Sequence, residues 1–174
     1  AELVDGTEDL VFFASTGDLL RFPAELVRPQ GRPASGMAGM KLDAGAVLVG
    51  FSAIALSGDT LFDEPVVVTA GGLPAESRPK AGAVGGAGVA VGVASSVKVT
   101  PLSEYPRKGR ATGGVRCQRL LSGESMLVLG WAGVNPWAAA ANGDPVDLPP
   151  AAGRRDGSGT PADRPIGAVG QAHT

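Results

Sequence analysis

The sequence predicts an all-β protein built from stacked four-stranded units, arranged as blades around an axis. Three observations predict it. Short β-branched and aromatic runs alternate with Gly, Asn and Pro turns. A Gly-Arg kernel and its flanking strands recur along the chain, and recurrence at a fixed spacing dictates architecture. Gly and Pro number 27 and 14 in 174 residues; inside a helix they cost about 1 and about 3 kcal/mol each, which disfavours a long helical bundle. A hydrophobic content of 44% is enough to bury a core, so wholesale disorder is disfavoured too.

The elements follow in order. Leu10-Val11-Phe12-Phe13-Ala14-Ser15 reads as a strand, and Thr16-Gly17 as a hairpin turn into Leu19-Leu20-Arg21-Phe22. Met37–Leu42 and Ala46–Phe51 read as the next strand pair, with Asp43-Ala44-Gly45 between them. Val66-Val67-Val68-Thr69 opens a second copy, separated from Val97-Lys98-Val99-Thr100 by a Gly/Ala/Pro-rich insert over 70–96. The insert reads mainly as a low-complexity loop, with room for a short strand around Val89–Val93. Leu20-Arg21-Phe22-Pro23 and Lys98-Val99-Thr100-Pro101 match at a spacing of 78 residues. The segments Gln30-Gly31-Arg32-Pro33-Ala34-Ser35-Gly36-Met37 and Lys108-Gly109-Arg110-Ala111-Thr112-Gly113-Gly114-Val115 match at the same spacing. Val47–Phe51 and Leu127–Trp131 match at 80, which places a two-residue insertion near Gly123. A weaker third copy reads as strand, turn and strand over Ala139–Pro149, followed by Gly153-Arg154-Arg155-Asp156-Gly157-Ser158-Gly159. The blades fall at about 9–64, 65–134 and 135–170, so about three blade equivalents are present.

Charge is patterned beneath a formal net value of −2. Residues 1–18 carry Glu2, Asp5, Glu8, Asp9 and Asp18 with no basic residue, and residues 42–66 carry Asp43, Asp59, Asp63 and Glu64. Residues 98–119 carry Lys98, Arg107, Lys108, Arg110, Arg116 and Arg119 against Glu104 alone, and residues 21–41 carry Arg21, Arg28, Arg32 and Lys41 against Glu25. Two readings stand at this point. The fold gathers the basic stretches on one face that meets a polyanion, or they belong to a mixed, solvated surface.

The residue inventory excludes several chemistries. One Cys forms no intrachain disulfide framework and no Cys-based zinc site, and the reducing cytoplasm is the default compartment. The longest apolar stretch, around Ala81–Ala94, is too short and Gly-rich for a membrane helix. No basic n-region precedes an apolar h-region, as a signal peptide requires. Gly82–Gly92 contains no G-x-G-x-x-G, no P-loop string occurs, and Ser158 lacks nucleophile-elbow spacing. His173 near the C-terminus is the one candidate base for Cys117. We expect no catalytic and no metal-binding residues in this segment. Tyr105 is expected to pack with its hydroxyl satisfied, and Trp131 and Trp137 to pack between blades.

Val97-Lys98-Val99-Thr100-Pro101-Leu102-Ser103-Glu104-Tyr105, followed by Lys108–Val115, resembles the blade repeat of the C-terminal domain of the DNA gyrase A protein and its topoisomerase IV paralogue. The resemblance runs from about Asp9 to Ile166, and the second half, from Tyr105 through Trp131 to Pro161, is most similar to the topoisomerase IV type. It implies an all-β, propeller-like β-pinwheel of four-stranded blades, a full ring having about six, with a basic rim that bends duplex DNA. The chain would then be a C-terminal piece of a longer protein. The gyrase box, a Gln-Arg-Arg-Gly-Gly-Lys-Gly string, is only partly matched: the first segment keeps Gln30, Arg32 and Gly36, the second Arg110, Gly113 and Gly114. That departure fits decatenation and relaxation better than negative supercoiling.

On this reading Arg32, Lys98, Arg107, Lys108, Arg110, Arg116, Arg119, Arg154 and Arg155 are the candidate DNA-binding residues. Lys and Arg displace condensed counterions from phosphate, and Arg holds one phosphate through two hydrogen bonds. Such contacts carry no base information, so binding follows shape rather than sequence. For any single Arg the competing role is to hold blades together. The resemblance also implies partners, namely duplex DNA, the topoisomerase's ATP-hydrolysing B protein and a second copy of the A protein, with no membrane. It implies ATP and Mg2+ bound elsewhere in the parent enzyme and no cofactor here, and a bacterial, cytoplasmic, nucleoid-associated location. A propeller-like module that binds protein through its acidic face, and no DNA, is the rival reading.

Overall fold

In a computed structural model, residues 4–55, 64–75, 88–90 and 92–172 are described. Glu2, Asp59, Asp63, His173 and most of the Gly82–Gly92 stretch lie outside them. The described residues form twelve strands: β1 (Glu8–Ala14), β2 (Asp18–Pro23), β3 (Leu48–Ala55), β4 (Val66–Pro74), β5 (Gly88–Val89), β6 (Gly92–Pro101), β7 (Val115–Arg116), β8 (Met126–Gly133), β9 (Pro136–Ala140), β10 (Pro145–Val146), β11 (Thr160–Pro161) and β12 (Ile166–Gln171). They build three four-stranded antiparallel sheets, ordered β3-β1-β2-β7, β8-β4-β6-β11 and β5-β12-β9-β10. The all-β, propeller-like pinwheel of four-stranded blades is therefore observed.

Each sheet takes three strands from one repeat and its fourth from another. The first sheet receives β7 from the second repeat, through Leu19↔Val115 and Asp18↔Arg116. The second receives β11 from the third repeat, through Val97↔Thr160 and Ser96↔Pro161. Leu19 and Val97 stand 78 residues apart, so the donated strand docks at the repeated position. The same register recurs beyond it, with Cys117 N–H donating to the Gly17 carbonyl (2.8 Å) and Ala162 N–H to the Ser95 carbonyl (3.0 Å). The third sheet receives β5 instead, which pairs with β12.

Two expectations are corrected here. The insert was expected to be loop over most of 70–96, yet β4 extends to Pro74 and β6 begins at Gly92. The antiparallel ladder simply continues outward, with Gly72↔Ala94, Leu73↔Val93 and Pro74↔Gly92. Met37–Leu42 was expected to be a strand and is not. Its repeat counterpart around Val115 becomes a strand by pairing with β2, an edge that Met37–Leu42 lacks among the described residues. The segment instead bonds the second Gly-Arg loop, through Lys41 N–H to the Thr112 carbonyl (3.0 Å) and Ala111 N–H to the Gly39 carbonyl (2.6 Å).

The alternation of side chains along the strands explains the stacking. Val11 and Phe13 of β1 join Leu19, Val67, Leu127 and Tyr105 between the first and second sheets. Val66, Val68 and Ala70 of β4 join Val97, Val99, Leu129, Trp131, Ile166 and Val169 between the second and third. Leu10, Leu20 and Phe22 face the far side of the first sheet, where Phe12 stacks on Phe22 at 5.4 Å. Each fully buried Val, Leu or Phe contributes about 1.5–3 kcal/mol. The repeated Gly50 and Gly130 meet where β3 crosses β8: a Cβ on Gly50 would lie 2.0 Å from the Gly130 carbonyl oxygen. Glycine at this step of each repeat lets the two sheets approach.

Candidate nucleic-acid interface

The Gly-Arg loops precede the donated strands, so topology places the second and third at the same corner of successive blades. The residue that demands glycine is the last before the strand. A Cβ on Gly114 would meet the Leu19 carbonyl oxygen at 2.2 Å, and φ there is +83°. The counterpart in the third loop is Gly159, whose Cβ would lie 3.0 Å from the Val97 carbonyl oxygen. The third loop is one residue longer, since Gly153 precedes Gly159 by six and Gly109 precedes Gly114 by five. Gly109, by contrast, has open space around it.

Contacts made by the half-buried Arg110 and Arg155 join the exposed cations of the loops into a band. In the first loop, Arg32 and Lys41 are exposed. Arg110 of the second loop donates from Nη1 to the Ala38 carbonyl (2.5 Å), tying second loop to first. Lys108 is exposed, and its backbone N–H bonds the Arg21 carbonyl (2.8 Å). The chain then runs through Arg116 to Arg119, both exposed and no more than about 30 Å from Arg110 at full extension. The third loop sits on that segment: Arg119 N–H donates to the Gly157 carbonyl (3.0 Å), and Arg155 Nη1 to the Arg116 carbonyl (3.5 Å). Arg154 is exposed at the end of the band. Two carboxylates interrupt it, Asp18 at 3.9 Å from Arg116 Nε and Asp156 at 3.4 Å from Arg154 Nε. Both pairs are surface pairs of small energetic weight.

Two expected site residues are committed elsewhere. Lys98 is not a surface clamp: it is 6% exposed, and its Nζ donates to the carbonyls of Arg155 (2.5 Å), Gly157 (3.2 Å) and Arg154 (3.4 Å). Burial lowers its pKa to about 8, a shift that nearby Cys117 and Asp156 oppose. Arg107 keeps a half-exposed side chain, but its Nε lies 3.0 Å from the fully buried Asp9 carboxylate. The same carboxylate takes Arg21 Nε at 2.5 Å, and Arg21 Nη1 donates to the Leu102 and Tyr105 carbonyls, each at 3.0 Å.

The Asp9–Arg21 pair was not foreseen as a lock between repeats. Its signal was a charge inside an apolar strand, Leu19-Leu20-Arg21-Phe22, where an unpaired cation is costly. Lys98 in Val97-Lys98-Val99 carries the same signal.

The other polar candidates pack. Cys117 is buried, and burial pushes its thiol up to about 12. Tyr105 is buried and its phenol pKa is raised by burial, but its hydroxyl, like that of Thr100, makes no well-formed hydrogen bond, contrary to expectation. Trp131 packs between sheets, whereas Trp137 is 48% exposed and does not. Among the described residues no group of three His, Cys, Asp or Glu side chains could hold a metal ion, and no helix is long and apolar enough to cross a membrane.

Comparison with known proteins supplies the rest. Residues 8–55 and 94–127 match the family described as DNA gyrase C-terminal domain, beta-propeller. The chain is 33% identical over 115 residues to the DNA gyrase A protein of Pseudomonas aeruginosa, which is 66% of this chain and 9% of that protein. In fold it is similar to the C-terminal domain of DNA topoisomerase IV, with a TM-score of 0.60, 19% identity and coverage of 96% of this chain and 47% of that one. It is similar also to a DNA gyrase A C-terminal domain, with a TM-score of 0.58, 15% identity and coverage of 97% and 49%. The chain thus spans about half of each solved domain and a small part of the whole gyrase A protein.

Proposed function

From the membership of this chain in the DNA gyrase A C-terminal domain family, we propose that it is the DNA-binding and DNA-bending segment of the A protein of an ATP-dependent type II topoisomerase. The observation that carries this reading is the band of exposed and half-buried Arg and Lys across successive blade corners, interrupted only by Asp18 and Asp156 among the described residues. Such a band meets duplex phosphates at the spacing of the corners and reads no bases. Decatenation and relaxation suit the chain better than negative supercoiling, because neither Gln30–Gly36 nor Lys108–Gly114 completes the gyrase box. DNA cleavage and ATP hydrolysis with Mg2+ belong to other domains of the same protein, to a second copy of it and to the ATP-hydrolysing B protein. The segment itself takes no cofactor, and the enzyme works on the nucleoid in the bacterial cytoplasm.

The test is duplex affinity across a salt series. Changing Arg32, Lys108, Arg110, Arg116, Arg119, Arg154 and Arg155 together to Ala is expected to flatten the slope of log K against log salt by about 3 or more, at about 0.9 per phosphate contact. Retained binding at unchanged slope defeats the reading. Absence of DNA binding in the parent chain, with salt-insensitive capture of a protein, favours the interaction module instead.

A further inference from the structure

The underside of the third Gly-Arg loop determines what its top presents. The carbonyls of Arg154, Arg155 and Gly157 all turn inward to the Lys98 ammonium. Every described peptide bond here is trans, and in a trans peptide the N–H points opposite to the carbonyl of its own unit. The N–H groups of Arg155, Asp156 and Ser158 therefore point away from Lys98, toward the exposed side of the loop. None of the three donates a hydrogen bond among the described residues. Three convergent carbonyls match the three donors of an ammonium, so the arrangement is built for the charged form. Among the described residues no carboxylate lies within ion-pair distance of Lys98, and Asp156 acts on it from farther off.

We infer that the outward N–H groups of Arg155, Asp156 and Ser158, flanked by the guanidinium groups of Arg154 and Arg155, form a phosphate-binding subsite backed by the buried Lys98 ammonium. The cation sits at the carbonyl ends of the peptide dipoles and polarises their N–H ends outward, where an oxyanion accepts. Asp156 is the anion already in the loop; Arg154 holds it at 3.4 Å and exchanges it for the ligand. The second loop has no such backing, because the repeat position of Lys98 holds the apolar Leu20, and Arg21 beside it is neutralised by Asp9. The inference rests on the rim reading only for what carries the phosphate, a duplex backbone rather than free phosphate.

The experiment follows the backbone amides of Arg155, Asp156 and Ser158 by NMR in the full chain and in Lys98→Met. Inorganic phosphate is added first, then a short duplex. All three amides are expected to shift saturably with phosphate, with affinity about tenfold weaker in Lys98→Met, and to shift again with duplex. If Lys98→Met does not fold, the unmodified chain is titrated with sulfate, whose charge is constant, at pH 7 and at pH 9.5. Lys98, at about 8, loses its charge over that interval, while Cys117, at about 12, and Tyr105, raised by burial, stay neutral. The other charged side chains at this slot are Arg116, Arg154, Arg155 and Asp156, and the uncharged Thr69 pairs with Lys98 across β4. Sulfate affinity is expected to fall severalfold at pH 9.5. Amides that do not respond to phosphate, or affinity undiminished in both Lys98→Met and at pH 9.5, overturn the subsite. Shifts with phosphate but none with duplex uphold the subsite and overturn the rim reading.

Discussion

The second and third Gly-Arg loops occupy the same slot in successive blades, each leading into a strand donated to the sheet before it, yet the buried cations near them are placed differently. Ahead of the second loop Arg21 reaches the Leu102 and Tyr105 carbonyls while Asp9 neutralises it, and the repeat position of Lys98 holds Leu20. Under the third, Lys98 reaches three carbonyls with no carboxylate in ion-pair contact among the described residues. Successive corners thus place their buried cations at different positions, one paired and one not. The paired one binds blades together through a triad with Arg107. The unpaired one leaves a positive charge directed through the loop. Repetition of sequence preserved the strand register but not the charge balance beneath it.

The largest effect is expected at the paired anchor. Asp9→Ala leaves Arg21 without its buried counter-charge and should cost about 3–5 kcal/mol, read as a lower urea midpoint at unchanged slope. A loss under about 1 kcal/mol would mean that the pair is no lock.

At the unpaired anchor the signature is pH. The folded-state pKa of Lys98 lies near 8 against a reference of 10.5. Between those values the unfolded chain keeps the Lys98 proton that the folded one has lost, so the Lys98 contribution should rise as pH climbs from about 8 to 10.5, by at most about 3 kcal/mol. The raised pKa values of Cys117 and Tyr105 oppose it above about pH 9, and only the difference from Lys98→Met isolates it. Below pH 8 the cost of burying the charge is fully present. Lys98→Met should remove the rise, and denaturant melts at pH 7.5 and 10 in both proteins measure it.

The smallest contrast concerns the glycines before the donated strands. Gly114→Ala should cost about 2–3 kcal/mol, because φ is +83° and the Leu19 carbonyl is backbone that cannot yield. Gly159→Ala should cost about 1 kcal/mol, because no positive φ is involved and its nearest obstacle, Ser96 Oγ at 2.8 Å, can rotate away. Equal thermal shifts would erase the distinction.

Much of this molecule was legible in the chain. The hairpin around Gly17, the strands through Val66–Thr69, Val97–Thr100 and Leu127–Trp131, and the strand-turn-strand of the third copy all follow from local pattern, because alternation and turn chemistry act over a few residues. So did the placing of most cations in exposed loops. What failed was whatever depended on a distant partner. Met37–Leu42 has the repeat's sequence but not the sheet edge that makes Val115–Arg116 a strand. Lys98 and Arg107 count as basic residues in the chain, yet Lys98 is consumed by carbonyls 56 to 59 residues away and Arg107 by a carboxylate 98 residues away.

By itself, then, the order of residues determined the strand units, their repeat and the sign of charge at each corner, since these depend on neighbours along the backbone. Only the tertiary structure decided which repeat completes which sheet and which cations remain free to meet a ligand. Strand exchange and burial join positions far apart in the chain, and the energy of a charge depends on what surrounds it rather than on what precedes it.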